Sequence, residues 1–361
     1  MVFSSSGVIA MSHNLSVFHY LIRQLIWVAL GLLVMCFFYY FDYQKLQKLS
    51  PFILAFSFLL VILVLIPGIG VKVNGSRRWI GYGPLRFQPS EFARLALIIY
   101  MASMLEKKKD LIRKFSTGLL PALLIMGIFL VLIVVEPDLG APLVIGIIVF
   151  LIWFVAGAKL LHLITLGLSA VPCGIVLVLI EPYRVKRLLS FLNPLEYAQT
   201  SGFQLCQSLI SVGSGGIYGL GLGKGLQKYL YLSEAHSDFI FAIICEELGF
   251  IGAVSVLLLY GILLWQGGRV AIKTPDFFGS LLATGITAMI GIAVMINVSV
   301  VLGCLPTKGL ALPLLSYGGS SMLINMAALG ILLNISKHKD FVVGKKAAIP
   351  EPYTFKHDYR N

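Results

Sequence analysis

Runs of about 20 apolar residues recur along almost the whole chain, and they constrain its fold more than any other feature. Each run can span the roughly 30 Å hydrocarbon core of a bilayer as a helix. They fall at about 1–12, 17–41, 50–68, 89–105, 117–135, 141–158, 160–181, 238–265, 276–303 and 311–335. A transmembrane barrel would instead show short alternating segments, and none are present. Hydrophobic residues make up 58% of the 361 positions and charged residues 12%, about half the charged share of a soluble domain. The expectation is an all-α polytopic membrane protein of ten transmembrane helices. The first run is too short to cross and reads as the outer end of a truncated helix.

The formal charge of +12 would suggest nucleic acid in a soluble protein. In a membrane protein it reads first as topology, because cytoplasmic loops collect Lys and Arg. Alternate loops hold Lys45 and Lys48, then Lys107, Lys108, Lys109, Arg113 and Lys114, then Lys159, then Arg269 and Lys273, then the tail from Lys337. Those segments hold 16 of the 28 basic residues and are assigned to the cytoplasm with the C-terminus. The transmembrane unit covers 1–336, and 337–361 reads as a disordered cytoplasmic tail. The five Cys form no CxxC pair, and the six His form no ligand spacing, so no protein-built metal site is indicated.

Two segments on the opposite face are basic although they lie outside. One is 69–88, with Arg77, Arg78 and Trp79. The other is a large extracytoplasmic loop, 182–237, between the seventh and eighth helices, with Arg184, Lys186 and Arg187. Lys308 lies in a third outer loop. Such charges need a reason, and an anionic ligand at the outer surface supplies one. Anionic lipid headgroups are the alternative.

Asp238, in SEAHSDFIFAIICEELGFIG (233–252), opens a long apolar run. It could be a helix N-cap, a role Ser237 could equally fill. It could also be a general base beside His236 and the basic loops. Glu246 and Glu247 follow deeper, Glu246 about 12 Å below Asp238, where a carboxylate needs a partner or a function. Glu91 and Arg94 sit three apart and can pair, a structural role. The glycine-rich GSGGIYGLGLGKG (213–225) lacks the Ser or Thr of a phosphate loop after its Gly-Lys, so close backbone packing or an outer turn explains it better. EPDLGAP (136–142), with Asp138, and LPTKGLALPLLSYGGSS (305–321), with Ser316, read as breaks at helix ends.

Seven ordered blocks then resemble one family. They are NGSRRWI (74–80), QPSEFARLAL (88–97), EPDLG (136–140), FLNPLEY (191–197), GFQLCQSLISVGSGGIYGLGLGKGLQKYLYL (202–232), EAHSDFIFAIICEELGFIG (234–252) and LPTKGLALPLLSYGGSS (305–321). The chain is similar to the SEDS polytopic proteins, the FtsW, RodA and SpoVE group, and its wording is closer to the FtsW and SpoVE branch. Cys245 stands where a small residue is usual. The resemblance implies a ten-helix fold and a peptidoglycan glycosyltransferase that polymerises lipid II in the bacterial inner membrane, at the division septum. It implies a class B penicillin-binding transpeptidase as partner, along with other divisome membrane proteins. It also implies that Asp238 is the essential carboxylate.

In that reaction an acceptor hydroxyl displaces a lipid pyrophosphate, so one base is required and no second carboxylic acid. The leaving group needs positive charge, from the outer Arg and Lys residues or from Mg or Mn carried on the substrate. A lipid II flippase and a non-catalytic divisome scaffold are the rival readings.

Overall fold

The computed structural model describes residues 3–5, 16–73, 76–82, 85–136, 139–227 and 237–338. Its helices are α1 (His19–Tyr40), α2 (Tyr43–Leu65), α3 (Pro89–Lys107), α4 (Leu120–Val135, led in by a π turn at Phe115–Leu119), α5 (Gly140–Val155), α6 (Leu160–Leu179), α7 (Pro182–Leu192), α8 (Phe203–Ser214), α9 (Ile240–Lys273), α10 (Phe277–Val301) and α11 (Gly319–His338). Among the described residues, seven helices are long and apolar enough to cross a membrane: α1, α2, α4 with its lead-in turn, α6, α9, α10 and α11. The sixteen residues of α5 are apolar but fewer. The expected run at 89–105 is helix α3, which carries Glu91, Arg94 and Glu106. The expected first span, 1–12, lies outside the described residues except for Phe3–Ser5. A multi-pass helical membrane protein is therefore the architecture, without a count of ten.

Burial sorts these helices. In α3 every residue from Ala93 to Leu105 except Tyr100 is buried, so an apolar helix with a charged start serves as the centre of the bundle. Helix α10 packs beside it, and Gly285 lets Ile98 and Ile152 approach the α10 backbone. By contrast α6 buries only Leu163. A helix apolar on all sides and exposed in the isolated chain faces lipid or a partner.

Helices α1 and α11 run parallel in close contact. The Gln24 amide donates to the Ser316 carbonyl, and Asn334 donates to the Tyr39 carbonyl at the other end. Between them Trp27 lies against Gly319 and the Met35 backbone against Gly330, where any side chain on either glycine would collide. Small residues that admit a neighbouring backbone commonly hold membrane helices together.

Two segments between the expected spans have structure of their own, and one expected boundary needs correction. Segment 69–88 holds a three-stranded antiparallel sheet of β1 (Gly70–Val73), β2 (Ser76–Tyr82) and β3 (Leu85–Phe87). Segment 182–237 contains the helices α7 and α8. The last helix starts at Gly319 rather than 311, since Leu314 takes a positive φ of 68° and Pro313 precedes it.

Candidate functional site

The site forms where α9 begins. Its first helical residue is Ile240, and the cap position falls on Phe239 with no side-chain cap. Asp238 is therefore not the N-cap, and neither is Ser237. Both lie in the preceding turn, half-buried, while Phe239 through Glu247 are buried.

Three groups fix that turn. Asn297, buried in α10, donates through its amide nitrogen to the Asp238 carbonyl at 2.8 Å and to the Leu310 carbonyl at 2.6 Å. The Ser316 hydroxyl donates to the Ser237 carbonyl at 2.5 Å and accepts from the Leu312 N–H at 2.7 Å. Gly309 faces the Asp238 carboxylate so closely that a Cβ there would stand 2.8 Å from Oδ2. The turn is thus sewn to the segment 302–318, which crosses the mouth of the bundle without regular structure. Tyr260 supports that segment from below through its hydroxyl, which donates to the Pro313 carbonyl.

Cations arrive on the same segment. Lys308 is half-exposed and precedes Gly309. Arg187 reaches from α7 to the Thr307 carbonyl at 3.5 Å, a long bond that anchors an otherwise exposed guanidinium next to Lys308. The segment that carries Lys308 and Ser316, and that Arg187 touches, therefore lies against the Asp238 turn. Arg184 behaves differently. It is buried and donates to the Leu177 carbonyl at 2.5 Å and the Tyr183 hydroxyl at 3.0 Å, which joins α7 to α6. Lys186 is exposed on α7.

The sheet residues divide by face. Arg77 pairs across the strands with Lys72, and Gly81 with Arg86, so the exposed Lys72, Arg77 and Arg86 share one face with Trp79. Arg78 points to the other side, where its Nε donates to the Glu136 carbonyl at 3.2 Å. The Ser320 hydroxyl at the start of α11 accepts from the Gln88 N–H and bonds the Arg86 carbonyl. The sheet therefore stands at the same end of the bundle as Asp238. Glu91 and Arg94 form the expected ion pair at the start of α3. His236 and Asp138 lie outside the described residues.

The deeper carboxylates belong to a second structure. At Gly249 helix α9 breaks, with φ 67° and ψ −165°. The glycine-rich segment after α8 fills the break. Leu220 N–H and Gly221 N–H donate to the carbonyls of Glu246 and Glu247, while Phe250 N–H and Ile251 N–H donate to those of Gly216 and Ile217. A side chain at Gly215 would collide with the Cys245 carbonyl, and one at Gly219 with the Glu247 carbonyl. Close backbone packing is thus the purpose of these glycines. The break lies about 13 Å below Ile240. Backbone groups at that depth must find partners within protein, and these exchanged hydrogen bonds supply them. The Glu246 carboxylate accepts from Leu226 N–H at 2.6 Å, Gln227 N–H at 3.2 Å and the Ser211 hydroxyl at 3.3 Å. Glu247 accepts from the Ser4 hydroxyl.

Sequence reasoning missed Asn297 and Gly309. A lone Asn within the apolar stretch IAVMINVSVV was a usable signal for the first, because buried amides in membrane helices usually bridge something. Nothing local marks Gly309. Among the described residues no group of three or more His, Cys, Asp or Glu could hold a metal ion.

Comparison with known proteins identifies the family. The family model described as "Cell cycle protein", of the FtsW, RodA and SpoVE proteins, matches residues 1–341. The chain is 46% identical to stage V sporulation protein E of Bacillus subtilis over 342 residues, covering 94% of this chain and 93% of that protein. It is 44% identical to a probable peptidoglycan glycosyltransferase FtsW of Trichlorobacter lovleyi, covering 93% of this chain and 88% of that one. Among solved structures it superposes on a chain of a peptidoglycan synthase complex that coordinates polymerization and crosslinking, with TM-score 0.76, 31% identity and coverage of 93% and 95%. It also superposes on the rod shape determining protein RodA of Thermus thermophilus, with TM-score 0.68, 32% identity and coverage of 93% and 94%. The chain belongs to the FtsW/RodA/SpoVE family of polytopic membrane proteins.

Proposed function

We propose that this protein is a peptidoglycan glycosyltransferase that polymerises lipid II at the outer surface of the bacterial inner membrane during division, with Asp238 as general base. The observation that carries the reading is that the Asp238 carboxylate faces a segment that carries one cation and is touched by another. Asp238 abuts Gly309, Lys308 precedes that glycine, and Arg187 is held on the neighbouring Thr307 carbonyl. The names of the FtsW relatives support the same activity.

The chemistry suits this arrangement. The acceptor sugar hydroxyl gives its proton to the Asp238 carboxylate as its oxygen bonds to the donor's anomeric carbon. The bond from that carbon to the pyrophosphate oxygen breaks, and the pyrophosphate leaves with the electron pair. It needs no proton, but its charge must be met, and Lys308 and Arg187 are the groups placed to meet it. One displacement inverts the configuration from α to β. Any Mg or Mn would arrive as a counter-ion of the substrate pyrophosphate.

The partner reading is a class B penicillin-binding transpeptidase, consistent with the crosslinking complex whose chain this protein superposes on. Other divisome membrane proteins would assemble with the pair. The Lys and Arg distribution supports a cytoplasmic C-terminus.

The test is polymerisation of labelled lipid II by purified protein with its partner, read on gels. Asp238→Asn should insert and fold normally yet make no polymer. Polymer at the wild-type rate from that variant would remove Asp238 as the base.

A further inference from the structure

Tyr260 is buried in the half of α9 that follows the break at Gly249. Its hydroxyl donates to the Pro313 carbonyl. Pro313 lies in a turn that Ser316 closes in both directions. The Ser316 N–H donates to the Leu312 carbonyl at 3.0 Å, and its hydroxyl oxygen accepts from the Leu312 N–H at 2.7 Å. Inside this turn Leu314 holds a φ of 68°, the one positive φ on a non-glycine among the described residues. Such a conformation persists only where surrounding contacts over-determine it. Two side chains grip the turn from outside: Tyr260 at Pro313, and the buried Gln24 of α1 at the Ser316 carbonyl, 3.3 Å away. What the turn delivers is the Ser316 hydroxyl, which donates to the Ser237 carbonyl at 2.5 Å. That carbonyl belongs to the peptide unit on one side of the Asp238 Cα. Asn297 holds the carbonyl on the other side.

We infer that Tyr260 is a positioning residue for the transfer reaction, acting through the 312–316 turn on the peptide that carries Asp238. This rests on the reading of Asp238 as the base. Without the Tyr260 hydroxyl, Leu314 is free to relax towards a negative φ. Ser316 then shifts, and the Ser237 carbonyl loses the donor that aligns it. The Asp238 backbone stays fixed on the Asn297 side alone. Misplacing a reacting group by about 1 Å costs roughly 100-fold in rate, and release on one of two sides calls for less, about tenfold.

The experiment compares Tyr260→Phe, Ser316→Ala and the two combined with wild type, Asp238→Asn and Tyr43→Phe. The last is the control. Its hydroxyl donates to Asp276 Oδ1 at 2.5 Å, at the start of α10 and away from Asn297 near that helix's end. Each protein is purified full-length with its partner and assayed across lipid II concentrations. Turnover is normalised to protein that remains monodisperse after gel filtration. Tyr260→Phe should lower kcat about tenfold with KM within about twofold, the split expected of a group that acts on the reacting geometry and not on substrate binding. Tyr43→Phe also loses a tyrosine hydroxyl bond but should keep kcat per folded molecule. Because Tyr260 acts through Ser316, the combined variant should be no slower than Ser316→Ala alone. Losses that multiply in the combined variant overturn the route through the turn. Should Tyr260→Phe fail to fold, Gln24→Met removes the other grip and decides by the same split between kcat and KM. Normal kcat in Tyr260→Phe, beside an inactive Asp238→Asn, overturns the positioning role and leaves the base intact. Full activity in Asp238→Asn overturns the base, and the positioning role with it.

Discussion

Asn297 bridges the carbonyls of Asp238 and Leu310 with a single amide nitrogen, so α10 holds the two segments of the site in one register. The amide cannot be turned over, because that would set its oxygen against both carbonyls. Asn297→Leu keeps the approximate volume but removes the amide donor that serves both carbonyls. An unsatisfied buried group costs about 1–3 kcal/mol, so the loss should fall near the upper end of that range. Thermal unfolding in detergent checks the stability, and the lipid II assay should show turnover falling further than stability alone explains. Asn297→Asp should be worse on both measures, since its oxygens would only repel the two carbonyls.

Ser316→Ala separates stability from chemistry at the same turn. The hydroxyl serves the Ser237 carbonyl and the Leu312 N–H at once. Its removal should cost about 1 kcal/mol or somewhat more. Polymerisation should drop less than for Asn297→Leu, because Asp238 itself keeps its Asn297 bond.

Two neighbouring arginines should fail in different ways. Arg184 is buried and spends its guanidinium on the Leu177 carbonyl and the Tyr183 hydroxyl. Arg184→Ala should lower the unfolding temperature, with activity lost in proportion to folded protein. Arg187 is exposed and touches the Thr307 carbonyl. Arg187→Ala should leave the unfolding temperature nearly unchanged and weaken catalysis with lipid II, most visibly at low ionic strength where the cation is least screened. Equal thermal losses in the two variants would contradict this division.

Some of this was readable beforehand because the signals are local. The apolar runs located the helices, the spacing of Glu91 and Arg94 announced their pair, and the glycines of 213–225 announced close backbone contact. What they contact was not readable. The partner is the break at Gly249, which follows the segment in sequence inside one long, mostly apolar helical run. The sheet at 70–87 carried only a weak signal, the dipeptide Asn74-Gly75 between two short strand-like stretches whose alternation is blurred by their basic residues. Asp238 as a cap was an equally local expectation. It gave way because tertiary bonds from Asn297 and Ser316 hold the turn open one residue longer, so that the helix starts at Ile240.

Gly249 tests whether the helix break is required. Its φ of 67° with ψ of −165° is a conformation that side-chain-bearing residues scarcely adopt. A Cβ there would also press on the Gly219 nitrogen and the Ile217 carbonyl. Gly249→Ala should therefore combine backbone strain of about 1–3 kcal/mol with expulsion of the glycine-rich segment. The four exchanged hydrogen bonds would lose their partners at mid-membrane depth, where water cannot replace them. The expected result is poor recovery from the membrane and early aggregation on gel filtration. Gly261→Ala, on the same helix with open space around it, should behave as wild type and controls for helix propensity. If Gly249→Ala is recovered intact, its polymerisation should be strongly reduced, since the inserted segment packs against the same helix that opens at Asp238. A stable and fully active Gly249→Ala would mean that α9 can straighten without disturbing Asp238, contrary to the coupling drawn from these contacts.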